Sequence, residues 1–137
     1  MKTAVIYRSM TGHSKKIARA IGAELGVEAQ KVKKKKPQLA GVDLAFLVGG
    51  IYSGKSLPQM LDFANTLTPA MVARVALVTS SAMDKVGQDQ VRAILTANQI
   101  PVIDEYRCRG NFLLYKMGHP NKKEIAGAVA FARGLVN

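Results

Sequence analysis

Residues 8–14 read Arg-Ser-Met-Thr-Gly-His-Ser and set three hydroxyls, Ser9, Thr11 and Ser14, around Gly12. These residue types suit an anion. Hydroxyls supply neutral hydrogen-bond donors, and a glycine lets backbone approach a ligand closely. A helix that begins here has unpaired N–H groups and a partial positive charge at its start. Together these features can cradle a phosphate. The same segment can also do no more than cap a helix, a task that needs one Ser or Thr. His13 either faces solvent or, when protonated, adds a positive charge to the phosphate. Met10 needs no role beyond a loop position.

A second segment competes for a phosphate. Residues 49–56, Gly-Gly-Ile-Tyr-Ser-Gly-Lys-Ser, satisfy the nucleotide P-loop pattern G-x-x-x-x-G-K-[ST]. Asp104 and Glu105 then stand where an acidic partner for Mg²⁺ is wanted. Several points oppose this reading. Pro58 falls two residues past Ser56, Asp104 and Glu105 lie in mid-strand, and residues 42–137 are short for a nucleotidase core. It also leaves Ser9 to Ser14 without a task. No Ser-His-Asp arrangement or G-x-S-x-G elbow is present. One cysteine, Cys108, excludes an intrachain disulfide, and with only His13 and His119 it makes a poor zinc set. Cys108 reads as an inert, buried strand residue, and His119 as part of a turn.

The elements that must position these loops follow from hydrophobic spacing. Apolar runs at 3–7, 43–48, 72–79 and 101–108 read as buried parallel strands, with a weaker strand at 27–32. Gly49 and Gly50 are expected to end the third of the five. Helical spacing appears at 14–25 (Ile17, Ala18, Ile21, Leu25), around 57–64 (Leu57, Leu61, Ala64), at 87–97 (Val91, Ile94, Leu95) and at 121–136 (Ile125, Val129, Ala132). Gly26 stops the first helix, Pro58 suits a first turn, and Asn121 caps the last helix. Residues 109–120 read as a long loop carrying Phe112, Leu113 and Leu114. Strands alternating with helices imply one α/β domain over 1–137, a parallel sheet covered on both faces. Ligands sit beyond the carboxyl ends of such strands, near residues 8, 49, 79 and 109.

Composition narrows the class. At 137 residues the chain has room for one ordinary domain, and 48% hydrophobic residues can build a core. Aromatics are 6% and Trp is absent, so that core is aliphatic. No apolar run is long enough to span a membrane, and Arg8 interrupts any signal-peptide core. A cytoplasmic protein is expected. The formal charge is +11, with 10 basic and 2 acidic residues in 1–42 alone. A field of that size attracts anionic partners, and it can equally be a solvated face.

Ser9-Met10-Thr11-Gly12-His13-Ser14 matches the phosphate-loop pattern [ST]-x-T-G-x-[ST], and here the chain resembles the flavodoxin family. The resemblance continues through Asp43 to Gly50 with Ile51-Tyr52-Ser53-Gly54-Lys55, and through Cys108-Arg109-Gly110. It implies a three-layer sandwich with five parallel strands in the order 2-1-3-4-5 and noncovalent FMN. By that resemblance Ser9, Met10, Thr11, Gly12, His13 and Ser14 hold the FMN phosphate. Ile51, Tyr52, Ser53 and Gly54 border the ring, and Thr79, Ser80, Ser81 and Ala82 form the other flavin loop. Gly54 is the residue whose amide would meet flavin N5. The implied role is that of an electron carrier or an FMN-dependent oxidoreductase serving a redox protein partner, with no nucleic acid and no membrane span. The alternative is a flavodoxin-fold binding or scaffold module with weak or no FMN.

Two features depart from the family. The loop 79–86 has no aromatic, Met83 being its large apolar side chain, and the chain is basic where flavodoxins are usually acidic. In the order 2-1-3-4-5 the second strand lies beside the first at a sheet edge. Lys15, Lys16 and Arg19 can therefore share a flank with Lys33 to Lys36, and that region suits an acidic partner.

Overall fold

Short aliphatic runs separated by helical periods leave few arrangements open, and the chain adopts the one expected. The computed structural model describes residues 1–10, 12–52, 55–81, 87–109 and 122–136. The strands are β1 (Thr3–Arg8), β2 (Ala29–Lys31), β3 (Leu44–Tyr52), β4 (Lys55–Ser56), β5 (Val75–Ser81) and β6 (Val102–Arg109). The helices are α1 (His13–Leu25), α2 (Pro58–Thr66), α3 (Asp89–Ala97) and α4 (Lys122–Val136). The sheet order is β2-β1-β3-β5-β6, all parallel. This is the 2-1-3-4-5 order of a five-stranded parallel sheet. The two-residue β4, antiparallel to β3, is an addition that hydrophobic spacing does not signal.

Each strand sends alternate side chains to opposite faces, and two aliphatic cores result. Ala4 and Ile6 join Met60, Phe63, Val91 and Leu95 beneath α2 and α3. Val5, Phe46 and Val78 join Ile17, Ile21, Ala128 and Ala132 beneath α1 and α4. The stripe expected on α2 is corrected: Met60, Phe63 and Ala64 are buried, whereas Leu57 is the N-cap and Leu61 is only partly buried. The helix starts at Pro58, which turns its face by a residue from the one the leucines suggested. On α4, Ala128 and Ala132 are buried while Ile125 packs at the margin. Small residues there let the helix sit close to the sheet, and Phe131 meets Tyr106 with ring centroids 5.6 Å apart.

The largest boundary error concerns β3. Gly49 and Gly50 do not end it; they pair with Arg8, Thr79 and Ser80, and the strand runs to Tyr52. The glycine has a packing reason. A Cβ on Gly49 would lie 2.9 Å from Gln88 Oε1, so only glycine leaves room for that amide over the strand. Among the described residues no helix is long and apolar enough to cross a membrane.

Candidate functional site

β1, β3 and β5 are adjacent, and their carboxyl ends share one rim: Arg8 is paired with Gly49, Gly49 with Thr79, and Gly50 with Ser80. Of the residues assigned to FMN, Ser9, Met10, Gly12, His13 and Ser14 follow β1, Ile51 and Tyr52 end β3, and Thr79, Ser80 and Ser81 end β5. The register thus brings together three chain segments separated by about 40 and 30 residues in sequence. Thr11, Ser53, Gly54 and Ala82 lie outside the described residues, as do Met83, the loop containing Phe112, Leu113, Leu114 and His119, and the expected cap Asn121.

The first segment has the local form that an anion needs. Gly12 sits in the left-handed region at φ +89°, a conformation other residues rarely adopt, and its N–H donates to Ser9 Oγ at 2.8 Å. Its carbonyl accepts the first helical bond, from Lys16 N at 3.1 Å. Among the described residues no side chain caps α1. The Ser14 hydroxyl is therefore not spent as an ordinary helix cap, whereas that of Ser9 accepts the Gly12 N–H. Ser14 is fully buried, and its Oγ has no hydrogen-bond partner. A buried orphan hydroxyl costs about 1–3 kcal/mol, and a phosphate oxygen at the start of α1 would satisfy it. The residues present fit a phosphate. Burial and then the charge of Lys16 lower the His13 pKa below its ordinary value. Met10 is exposed at 65%.

The third segment is held from behind by residues that motif reading missed. Glu105 projects from β6 with a side chain only 4% exposed. Thr79 Oγ1 donates to its Oε2 at 2.6 Å, and the backbone N–H of Gln88 donates to the same oxygen at 3.0 Å. Arg92 donates to Oε1 at 2.9 Å, and Arg107 stands 3.7 Å from that oxygen. Burial alone would push this carboxyl up; the bonds from Thr79, Arg92 and Gln88, with the charge of Arg107, outweigh it and hold the pKa below 4.5. Gln88 is fully buried, and its Nε2 donates to Leu47 O, Val78 O and Thr79 Oγ1 at 3.2, 3.0 and 3.3 Å. Thr79 and Gln88, on either side of residues 82–86, are thus both fixed to Glu105. The Thr79 hydroxyl is committed to that contact.

The P-loop geometry is not formed. A P-loop turns directly into a helix so that its amides converge on phosphate. Here Gly49 to Tyr52 continue β3, while Lys55 and Ser56 fold back in antiparallel pairing with Tyr52 and Ile51. The helix begins only at Pro58. Of the two acidic residues suggested as a Mg²⁺ partner, Glu105 is occupied by the contacts just described, and Asp104 is exposed with its Oδ1 accepting the Glu105 N–H at 2.8 Å. Among the described residues no cluster of His, Cys, Asp and Glu could hold a metal ion. Cys108 is a buried free thiol whose pKa is pushed up to about 12 by burial and by the charge of Glu124.

A doubly wound parallel sheet in this strand order, with a hydroxyl-rich segment after its first strand, defines a protein of the flavodoxin-like fold. The flavodoxin domain model matches residues 4–126, and the chain belongs to the flavodoxin family. Among solved structures it is similar to flavodoxin 2 from Bacillus cereus, with a TM-score of 0.70, 16% identity, and coverage of 97% of this chain and 96% of that one. It is similar to a mutant of the flavodoxin from Pseudomonas aeruginosa, with a TM-score of 0.66, 15% identity, and full coverage of both chains at 100% and 100%. A flavoprotein from Lactobacillus acidophilus NCFM in complex with FMN has a TM-score of 0.62 and 17% identity, over 77% of this chain and 92% of that one. A sequence comparison with curated proteins finds no match.

Proposed function

We propose that this chain is an electron-transfer flavoprotein that binds FMN noncovalently and exchanges electrons with a redox protein. The observation that carries the reading is the buried, partnerless hydroxyl of Ser14 at the uncapped start of α1, behind a left-handed Gly12. Ser9, Thr11, Gly12 and Ser14 would hold the phosphate. Ile51, Tyr52, Ser53 and Gly54 would line one side of the ring, and Ser80, Ser81 and Ala82 the other. Bound FMN supplies one- or two-electron redox chemistry. The chain's own contribution is to bind, orient and exclude water, and no side chain need act as a general acid or base. A lone, unpaired cysteine suits a cytoplasmic setting.

The purified protein is expected to be yellow, and to quench FMN fluorescence with one site per chain. A colourless protein that does not bind added FMN would support the scaffold alternative instead. That alternative draws on the lack of an aromatic in residues 79–86.

Lys55 separates the two phosphate readings. It is exposed, in the β3–β4 hairpin, away from the Ser9–Ser14 segment in sequence and on a different strand. Lys55→Ala should leave FMN affinity within about twofold, because an exposed charge contributes little. Calorimetric titration with FMN and with Mg·ATP checks this. ATP binding that the substitution abolishes would restore the P-loop reading.

A further inference from the structure

The register of β2 places a strong charge cluster on the same rim as the FMN site. Tyr7 pairs with Lys31, so the chain beyond β2 emerges beside the end of β1. Val32 N donates to Tyr7 O at 2.8 Å, and Arg8 Nη1 donates to Val32 O at 3.0 Å. These two bonds fasten the start of the lysine run next to Arg8, one residue before Ser9. A groove of about 700 Å³ lies along this flank, lined by Lys15, Arg19, Lys31, Lys33, Lys35 and Lys36. Glu28 is the one acidic residue in that lining. A smaller hollow of about 320 Å³ is lined by Arg8, Lys33, Lys34 and Lys36, with Asp62. Lys33 and Lys36 line both, so the run forms a ridge between two concavities. Lys15 and Arg19 of the first cluster therefore share one groove with Lys33, Lys35 and Lys36 of the second.

We infer that this groove docks a carboxylate-rich segment of a partner protein. Six cations facing one carboxylate call for an anion. The lining has five lysines to one arginine, and lysine is a hydrated point charge that suits brief, solvated contacts better than bidentate grip on phosphate. Tyr7 is the aromatic in the groove and it is 5% exposed, so the site offers no platform on which bases stack. Among the described residues the exposed large apolar ones, Met1, Met10 and Ile103, lie outside the lining, so none of them anchors the groove to a membrane surface. A second copy of this chain carries the same +11 and is repelled. Docking itself does not require flavin; its purpose, bringing a partner to the flavin rim, rests on the electron-transfer reading.

The test is fluorescence anisotropy with a labelled decaglutamate peptide, on apoprotein and on FMN-loaded protein. Two triple variants are compared: Lys33→Gln, Lys35→Gln, Lys36→Gln in the groove, and Lys55→Gln, Lys122→Gln, Lys123→Gln away from it. Both lose three charges. The groove variant should bind the peptide about tenfold more weakly, and the other should change by less than about threefold, since exposed pairs each contribute a fraction of a decade. Binding should also fall steeply between low salt and about 0.3 M, where charges are screened within a few ångströms. Equal weakening in the two variants would overturn the inference, because it would show a diffuse field and no groove. A decathymidylate or a phosphatidylserine vesicle bound more tightly than the peptide would overturn it in favour of those partners. Titration of each variant with FMN runs alongside: peptide docking without FMN binding would defeat the flavin reading alone.

Discussion

Thr11→Ala combined with Ser14→Ala should weaken FMN by a hundredfold or more while leaving riboflavin affinity nearly unchanged. On the proposed function both hydroxyls would bind the phosphate, which riboflavin lacks. A hydrogen bond to a charged group is worth about 1.5–3 kcal/mol, so two of them amount to at least about two decades in Kd. Ser14 adds a second readout with the opposite sign. Its Oγ is buried without a partner, so Ser14→Ala removes an unsatisfied group from the apoprotein. Apoprotein stability in urea should stay constant or rise. Fluorescence titration with FMN and riboflavin, beside urea melts of the apoprotein, gives both results. Equal loss for the two ligands would remove the phosphate from this segment. A clear loss of apoprotein stability from Ser14→Ala would mean that the hydroxyl serves the fold.

Glu105→Gln should cost about 2–3 kcal/mol at pH 7, and most of that cost should vanish near pH 3. The carboxylate accepts from Thr79, Gln88 and Arg92, and a bond to a charged acceptor exceeds one to a neutral amide. The loss stays below that of a fully buried ion pair, because the Arg92 and Arg107 side chains are 40% and 45% exposed and keep their water. The pH dependence follows from linkage. The folded pKa lies below 4.5, so the unfolded chain takes up the proton more readily. The stabilisation is complete above about pH 4.5 and is lost as pH falls through the lowered folded value. Urea melts of both proteins across this range check it. The same cost at pH 3 and pH 7 would assign the effect to packing. Because Glu105 fixes Thr79 and Gln88, the variant should also bind FMN more weakly at pH 7, including at temperatures where it is fully folded.

Most of the fold was legible because buried parallel strands are short aliphatic runs, and the runs at 3–7, 43–48, 72–79 and 101–108 stand out against their neighbours. The phosphate segment was legible because its chemistry is local: six consecutive residues carry the hydroxyls and the glycine. What was missed is non-local. In sequence Glu105 suggests only a Mg²⁺ partner misplaced in mid-strand, and nothing in its neighbours announces Thr79, Gln88 and Arg92, which reach it from 26, 17 and 13 residues away. Gln88 falls within the helical spacing at 87–97 and carries no signal of its own, yet it is a buried clamp over Gly49. Gly49 and Gly50 were read as punctuation because glycine usually interrupts a strand; here a side chain from elsewhere in the chain needs the space that a Cβ would fill. The polarity of the groove at β2 was visible as a charge excess in residues 1–42, but its concavity needed the register of β2 on β1.

Cys108 turns the β6 edge into a clock for the molecule's own breathing. With its pKa pushed up to about 12, roughly one thiol in ten thousand is ionised at pH 8, and that one is shielded by the layer of α1 and α4. Alkylation must then wait until β6 and α4 part. In a maleimide or iodoacetamide solution, the labelling rate therefore counts openings of this layer, much as amide exchange does, and does so at a single chemically defined position. A reagent concentration series should show the rate level off where every opening is trapped. Any ligand that closes the carboxyl rim should lengthen the interval between openings in proportion to its occupancy.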